Sequence, residues 1–255
     1  MRTDMQKRAR ALVCEFLGTA FLLAVVVGSG ILAHKLDMGN VALSVLCVAI
    51  STGAVLFALI NTFSSISAHF NPLVTTALAL RGEFAWKELP LYVLSQILGG
   101  ICGVLVTNLM FDLPALTVSQ TVRSGLPLLL GEVVASAGLL MVIFGSGKSR
   151  PESQPAAISA YVLGAIYFTS STCFANPAVT IARIFTDTLT GIAPASVLPF
   201  VGAQIFGLAL ALPLCGWLFQ TDADEKKARL KAEIDEAYMR DKLENDYRRD
   251  SLESL

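Results

Sequence analysis

His69-Phe70-Asn71-Pro72-Leu73-Val74-Thr75 and Phe174-Ala175-Asn176-Pro177-Ala178-Val179-Thr180 are two copies of one pattern, and their repetition decides the fold. In each copy Asn-Pro opens a short apolar stretch, Asn71 to Leu80 and Asn176 to Ile184. Proline suits the first turn of a helix, where its missing N–H costs nothing. Neither stretch is long enough to cross a bilayer, which takes about 20 apolar residues. Both are therefore read as re-entrant half-helices. The repetition extends outward: Glu15-Phe16-Leu17-Gly18-Thr19 returns as Glu132-Val133-Val134-Ala135-Ser136, and Ser95-Gln96 returns as Ala203-Gln204.

The segments between these markers are apolar and long. Six spans are expected, at Leu12 to His34, Val41 to Phe63, Leu91 to Phe111, Leu126 to Gly145, Ala156 to Ser171 and Ala195 to Phe219. Each half thus reads as a span with a glutamate, a second span, an Asn-Pro half-helix and a span with a glutamine. Three spans per half is an odd number, so the second half enters the membrane from the opposite face. The fold class is an all-α membrane protein, six transmembrane helices plus two re-entrant half-helices in an inverted repeat.

Composition agrees. Of 255 residues, 54% are hydrophobic and 15% charged, against about 25% charged in ordinary soluble domains. Much of that charge sits in the last stretch, from Asp222 to Leu255. The expected organisation is an N-terminal arm (residues 1–10), a helical domain (11–220, with halves near 11–111 and 126–219) and a charged tail (221–255). In the tail Leu230, Ile234 and Tyr238 form a narrow stripe, but a solvated segment with no assigned partner is the expectation. A net charge of −1 gives no nucleic-acid signal. The apolar run after Arg10 has the length of a span and no cleavage-like site, so it is not read as a leader. Arg2, Lys7, Arg8, Arg10, Arg81, Lys87, Lys148 and Arg150 all fall on one side of this topology, which puts both termini in the cytoplasm.

Helix N-termini carry partial positive charge and unpaired N–H donors. Two of them facing one lumen repel cations, and Asn71 and Asn176 offer amide donors to a passing solute oxygen. A water held by both cannot relay a proton along a hydrogen-bonded file. Glu15 and Glu132 are ionisable groups in apolar spans and so draw a functional reading by default. Because they repeat with the fold, the scaffolding reading is preferred over a proton relay: each carboxylate accepts backbone N–H groups of its own re-entrant loop. His69 is read as a neutral hydrogen-bonding strut rather than a pH sensor, and His34 carries no evident role. No metal-ligand cluster, nucleophile–base pair or phosphate loop suggests an enzyme or a cofactor.

The doubled Asn-Pro motif, Ser67-Ala68-His69-Phe70 before its first copy and the repeated glutamate together resemble the aquaporin, or major intrinsic protein, family over roughly Ala11 to Phe219. The resemblance implies a homotetramer in the plasma membrane, one pore per subunit, passive conduction of water and small neutral solutes, and no cofactor. It also implies a paired site at Asn71-Pro72-Leu73 and Asn176-Pro177-Ala178, and a narrower selectivity filter toward the outside. Carried over by position, the filter is Thr52 (or Ser51), Gly164, Cys173 and Val179. The usual filter arginine is replaced by Val179; Arg183 lies about one turn further on and is expected not to point at the same place. The departures are Leu73 for alanine and an uncharged, small-residue filter, which implies a wide, weakly polar constriction.

A valine at the arginine position after Phe168-Thr169-Ser170-Ser171-Thr172 looks like a bacterial branch linked to arsenic resistance. That implies glycerol-sized polyols and neutral metalloids, such as arsenous acid or methylated arsenicals, as solutes. Alternatives are a water- or ammonia-selective pore, an ion-coupled secondary transporter, or a non-conducting relative. Cys173 implies sensitivity to mercurials; the other cysteines (Cys14, Cys47, Cys102, Cys215) lie in apolar segments as core-filling thiols.

Overall fold

The computed structural model describes residues 2–219 and 239–240. Among them are eight α-helices and no strand: α1 Arg2–Leu36, α2 Val41–Phe63, α3 Pro72–Leu80, α4 Leu89–Met110, α5 Leu126–Ser149, α6 Gln154–Phe168, α7 Pro177–Ala182 and α8 Pro194–Leu218. Contacts group Met1–Leu214 into one body and Cys215–Leu255 into a second unit, whose described part is the end of α8 and residues 239–240. The stripe Leu230, Ile234 and Tyr238 lies outside the described residues.

The order long, long, short, long occurs twice, with α3 and α7 as the short members. Five of the helices are long and apolar enough to cross a membrane. The fifth expected span is the exception. It ends at Phe168 rather than Ser171, because Thr169 is already extended (φ −93°, ψ 143°) and begins the approach to the second Asn-Pro. At roughly 1.5 Å per residue its 15 residues reach about 22 Å, short of the roughly 30 Å hydrocarbon core. The first span is longer than expected, since the basic arm continues α1 without a break to Arg2. The second half-helix is shorter: α7 ends at Ala182 and Arg183–Phe185 form one 3₁₀ turn.

Small residues let the long helices approach closely. A Cβ added to Gly99 or Gly103 of α4 would collide with the Phe16 and Ala20 carbonyls of α1. Gly207 of α8 sits in the same way on Val133 and Ser136 of α5. This small-xxx-small spacing is how helices pack where lipid removes any hydrophobic drive between them. Backbone cannot yield as a side-chain tip can. Gly103→Val is therefore expected to destabilise by about 1–3 kcal/mol, read as a lower thermal midpoint in detergent. An unchanged midpoint would show that α1 and α4 do not need this contact. Outward-facing side chains such as Phe21, Phe57, Leu98, Leu130 and Phe206 are exposed and apolar, as a lipid-facing surface requires.

At one end of the bundle the Arg8 guanidinium pairs with Glu88 (2.6 Å) and Arg81 lies over the Phe144 ring (4.4 Å). Elsewhere the α4–α5 link lies along residues 183–193. Ser119 N–H donates to the Ile184 carbonyl (2.8 Å), Ala193 N–H to Thr121 (2.7 Å), and the Asn108 amide to Ala115 and Phe185 (3.0 and 2.9 Å). His34, without a role in the sequence reading, bonds Asp37 (2.8 Å), whose carboxylate also accepts from Ser44 Oγ and Gly39 N–H. These three donors favour the charged carboxylate and hold its pKa below the ordinary range.

Candidate functional site

The site is built where the two half-helices meet. Asn71 and Asn176 stand just before α3 and α7 in extended conformation, with Pro72 and Pro177 as the first helical residues. Each side chain uses both ends of its amide. The Asn71 Oδ1 accepts from Leu73 N–H (2.9 Å), and the Asn176 Oδ1 from Ala178 and Val179 N–H (3.0 and 3.3 Å). These bonds satisfy helix-start donors, as N-caps do. The amide nitrogens cross to the other half: Asn71 Nδ2 donates to the Ala175 carbonyl and Asn176 Nδ2 to Phe70, both at 2.8 Å. A primary amide has two N–H groups, so one remains on each asparagine after the strap is made.

The acceptors of those straps, Phe70 and Ala175, have left-handed backbones (φ 50° and 43°). For residues with a Cβ this conformation costs on the order of 1–3 kcal/mol. It turns consecutive N–H groups to one side, making a nest for an anion, and a buried carboxylate fills each nest. Glu15 accepts from His69 N–H (2.8 Å), Phe70 N–H (2.7 Å), Ser67 Oγ (2.6 Å) and Gln96 Nε2 (2.7 Å). Glu132 accepts from Phe174 and Ala175 N–H (2.9 Å each) and Gln204 Nε2 (2.6 Å). Gln96 and Gln204 go on to donate to Thr75 and Thr180 hydroxyls, which donate in turn to the Asn71 and Asn176 carbonyls. Neither glutamate has any exposed surface, and each carboxylate is satisfied by hydrogen-bond donors of its own half. His69 joins the first copy: its ring bonds the Thr75 hydroxyl (3.1 Å) and lies against Phe84 and Tyr92.

The four filter candidates lie on α2, α6, the second loop and α7. Gly53 meets Leu163 where α2 crosses α6, which puts their neighbours Thr52 and Gly164 at the same crossing. Thr52 is 2% exposed and its hydroxyl is buried without a partner, so that oxygen is not presented outward. A Cβ on Gly164 would touch only Phe168, at 3.9 Å, so the space beside it is open. Cys173 packs with Val48, Ala49 and Ala165, one turn from Thr52 and next to Gly164. Val179 belongs to a different cluster, with Phe174, Ile60 and Phe200. Leu73 is buried (2% exposed).

Two arginines gather here that the sequence reading left aside. Arg183 is 4% exposed; its Nε donates to the Thr190 carbonyl and its guanidinium lies on the Phe174 ring, 3.5 Å from the centroid. Arg123, from the α4–α5 link, lies 5.2 Å from the same centroid and donates to the Gly191 and Leu189 carbonyls. Desolvation against this surface pulls its pKa below the ordinary guanidinium value. Arg183 stands four residues after Val179, and its guanidinium returns to the loop before Asn176. Residues four apart share a face, and side chains lean toward the helix start.

The family described as major intrinsic protein matches residues 2–175, ending one residue before Asn176. The chain is 42% identical over 212 residues to the aquaglyceroporin AqpS of Rhizobium meliloti (strain 1021), covering 83% of this chain and 91% of that one. It is 34% identical over 137 residues to a probable NIP-type aquaporin of Nicotiana alata, covering 52% of this chain and 49% of the relative. In structure it resembles the aquaglyceroporin of Plasmodium falciparum, with a TM-score of 0.62 and 19% identity over 84% of this chain and 96% of that one, a likeness of fold. The chain belongs to the major intrinsic protein family, and is a multi-pass membrane channel rather than an enzyme.

Proposed function

We propose that this channel is a wide-filter pore passing water, glycerol-sized polyols and neutral metalloids such as arsenous acid or methylated arsenicals. The observation that carries the reading is the pair of Asn-Pro half-helix starts strapped to one another with one amide N–H left on each; the small residues Gly164, on α6, and Cys173, clustered with α2 and α6 residues, support a wide passage. A solute oxygen finds donors there but no carboxylate, since Glu15 and Glu132 are committed to their loops. That commitment speaks against an ion-coupled transporter, whose coupling site must exchange its ion. The similarity to a protein named aquaglyceroporin supports polyols as solutes. The arsenical reading rests on Val179 at the position where the family resemblance expects arginine.

The same reading assigns Asn71, Pro72, Leu73, Asn176, Pro177 and Ala178 to the paired midplane site, and Thr52, Gly164, Cys173 and Val179 to the filter. Glu15, Glu132 and His69 support the loops. The working form is a homotetramer in the plasma membrane. The basic residues at Arg8, Arg81 and Lys87 support cytoplasmic termini.

Stopped-flow light scattering of reconstituted vesicles tests the reading with water, glycerol and arsenous acid. All three are expected to cross at rates independent of pH and sodium gradients. Passage of water alone would overturn the wide filter. Cys173 gives a second check: mercurials are expected to slow glycerol flux several-fold in the wild type, with most of that block lost in Cys173→Ser. Equal block in both would move the mercurial site to another thiol.

A further inference from the structure

We propose that Arg183 is a specificity-determining residue of this pore, supplying from one turn beyond Val179 a forked hydrogen-bond donor that engages the hydroxyl oxygens of passing polyols. The inference rests on the channel reading above and changes its filter from uncharged to cationic.

Arg183 opens the 3₁₀ turn after α7, four residues past Val179. Continued helical geometry places it about 6 Å further along and about 40° around. Its side chain does not continue outward: the guanidinium comes back over Phe174, in the loop before Asn176. Among the described residues only Nε has a protein acceptor, the Thr190 carbonyl. Among the described residues neither Nη donates to a protein group, and neither is fully buried, so the little surface Arg183 keeps lies at its donor end. Among the described residues no carboxylate pairs with Arg183 or Arg123. A buried guanidinium is costly and is sustained here by the Phe174 face, the Thr190 carbonyl and the nearby Glu132 carboxylate, which lies beyond ion-pair distance. Its planar pair of free donors suits vicinal hydroxyl oxygens, which a lysine would meet only as a point charge.

The test compares glycerol with 1,2-propanediol, nearly the same in shape but lacking one hydroxyl. A site built to hydrogen-bond a hydroxyl discriminates against the analogue that lacks it. Channel-specific permeability to both is measured in vesicles for wild type, Arg183→Met and Arg183→Lys. The methionine variant keeps an apolar stem over Phe174 and removes the donors. Its glycerol-to-propanediol ratio is expected to fall about tenfold, the weight of one charge-assisted hydrogen bond. The lysine variant is expected to fall between. A ratio unchanged in Arg183→Met, even with both rates altered, would overturn the proposal and leave Arg183 as packing for the loop. Should that variant fail to insert, the lysine ratio decides, and an unchanged value again overturns it. Wild-type vesicles that pass neither solute would sink the pore reading itself, a result distinct from either of these.

Discussion

Glu132→Ala is expected to abolish accumulation of folded protein in the membrane. The truncation removes the acceptor of the Phe174 and Ala175 N–H groups and of the Gln204 amide, all of them buried. Each orphaned donor costs about 1–3 kcal/mol, so the sum is of order 3–9 kcal/mol, against a typical total stability of about 5–15 kcal/mol. The left-handed turn at Ala175 loses the bond that holds it, and with it goes the carbonyl that receives the Asn71 strap. Damage in one half thus reaches the other. Glu132→Gln keeps the volume and one acceptor but turns an N–H₂ group toward donors, so an intermediate loss is expected. Thermal unfolding of the detergent-purified tetramer or monomer, with yield as the first readout, checks both. A proton-relay carboxylate behaves otherwise: Glu132→Gln would keep its stability and lose pH-driven uptake. Stability within about 1 kcal/mol of wild type in Glu132→Ala would refute the scaffolding reading.

That network explains why so much of the fold could be read from the chain. The Asn-Pro pairs, the two glutamates and the two glutamines repeat in sequence because each serves the same hydrogen-bond circuit in its own half. A buried carboxylate in an apolar helix must find donors, and the only segment rich in unpaired N–H groups is the loop before a half-helix. The cross-straps were not legible. Asn71 and Asn176 are separated by a hundred residues of chain, and which carbonyl each amide meets depends on the left-handed turns at Phe70 and Ala175, residues with no glycine to signal them. The fifth span was read too long because Thr169 to Ser171 are small and weakly polar, compatible with either a helix or an extended approach.

The two arginines show a different limit. Arg183 was visible, but its direction depends on the bend of a six-residue helix into a 3₁₀ turn and on Phe174 as a stacking face. Arg123 is brought to that face by the path of the α4–α5 link, fixed by carbonyls at Leu189 and Gly191 that no local pattern connects to it. Long-range backbone acceptors of this kind leave no trace in composition or periodicity.

Val179→Arg is expected to cut glycerol and arsenous acid permeability at least tenfold while leaving water permeability within about threefold of wild type. Val179 is 6% exposed and belongs to the buried cluster that includes Phe174 and Ile60, so an arginine there has no room in the core and must extend into open space. The opening the filter reading provides lies beside Gly164 and Cys173. A long cationic side chain placed there narrows the passage and offers a donor that water can follow but a carbon backbone cannot pass. Arg183 one turn away resists it, because two guanidinium groups so close repel. The new side chain is therefore driven across the passage rather than along it, which strengthens the exclusion. Combining Val179→Arg with Arg183→Met separates the contributions: without the repulsion, the glycerol block is expected to relax by a measurable factor. Retained water flux serves as the control for folding. Glycerol flux within twofold of wild type in a variant that still conducts water would remove Val179 from the filter, and with it the reason to expect metalloids as solutes.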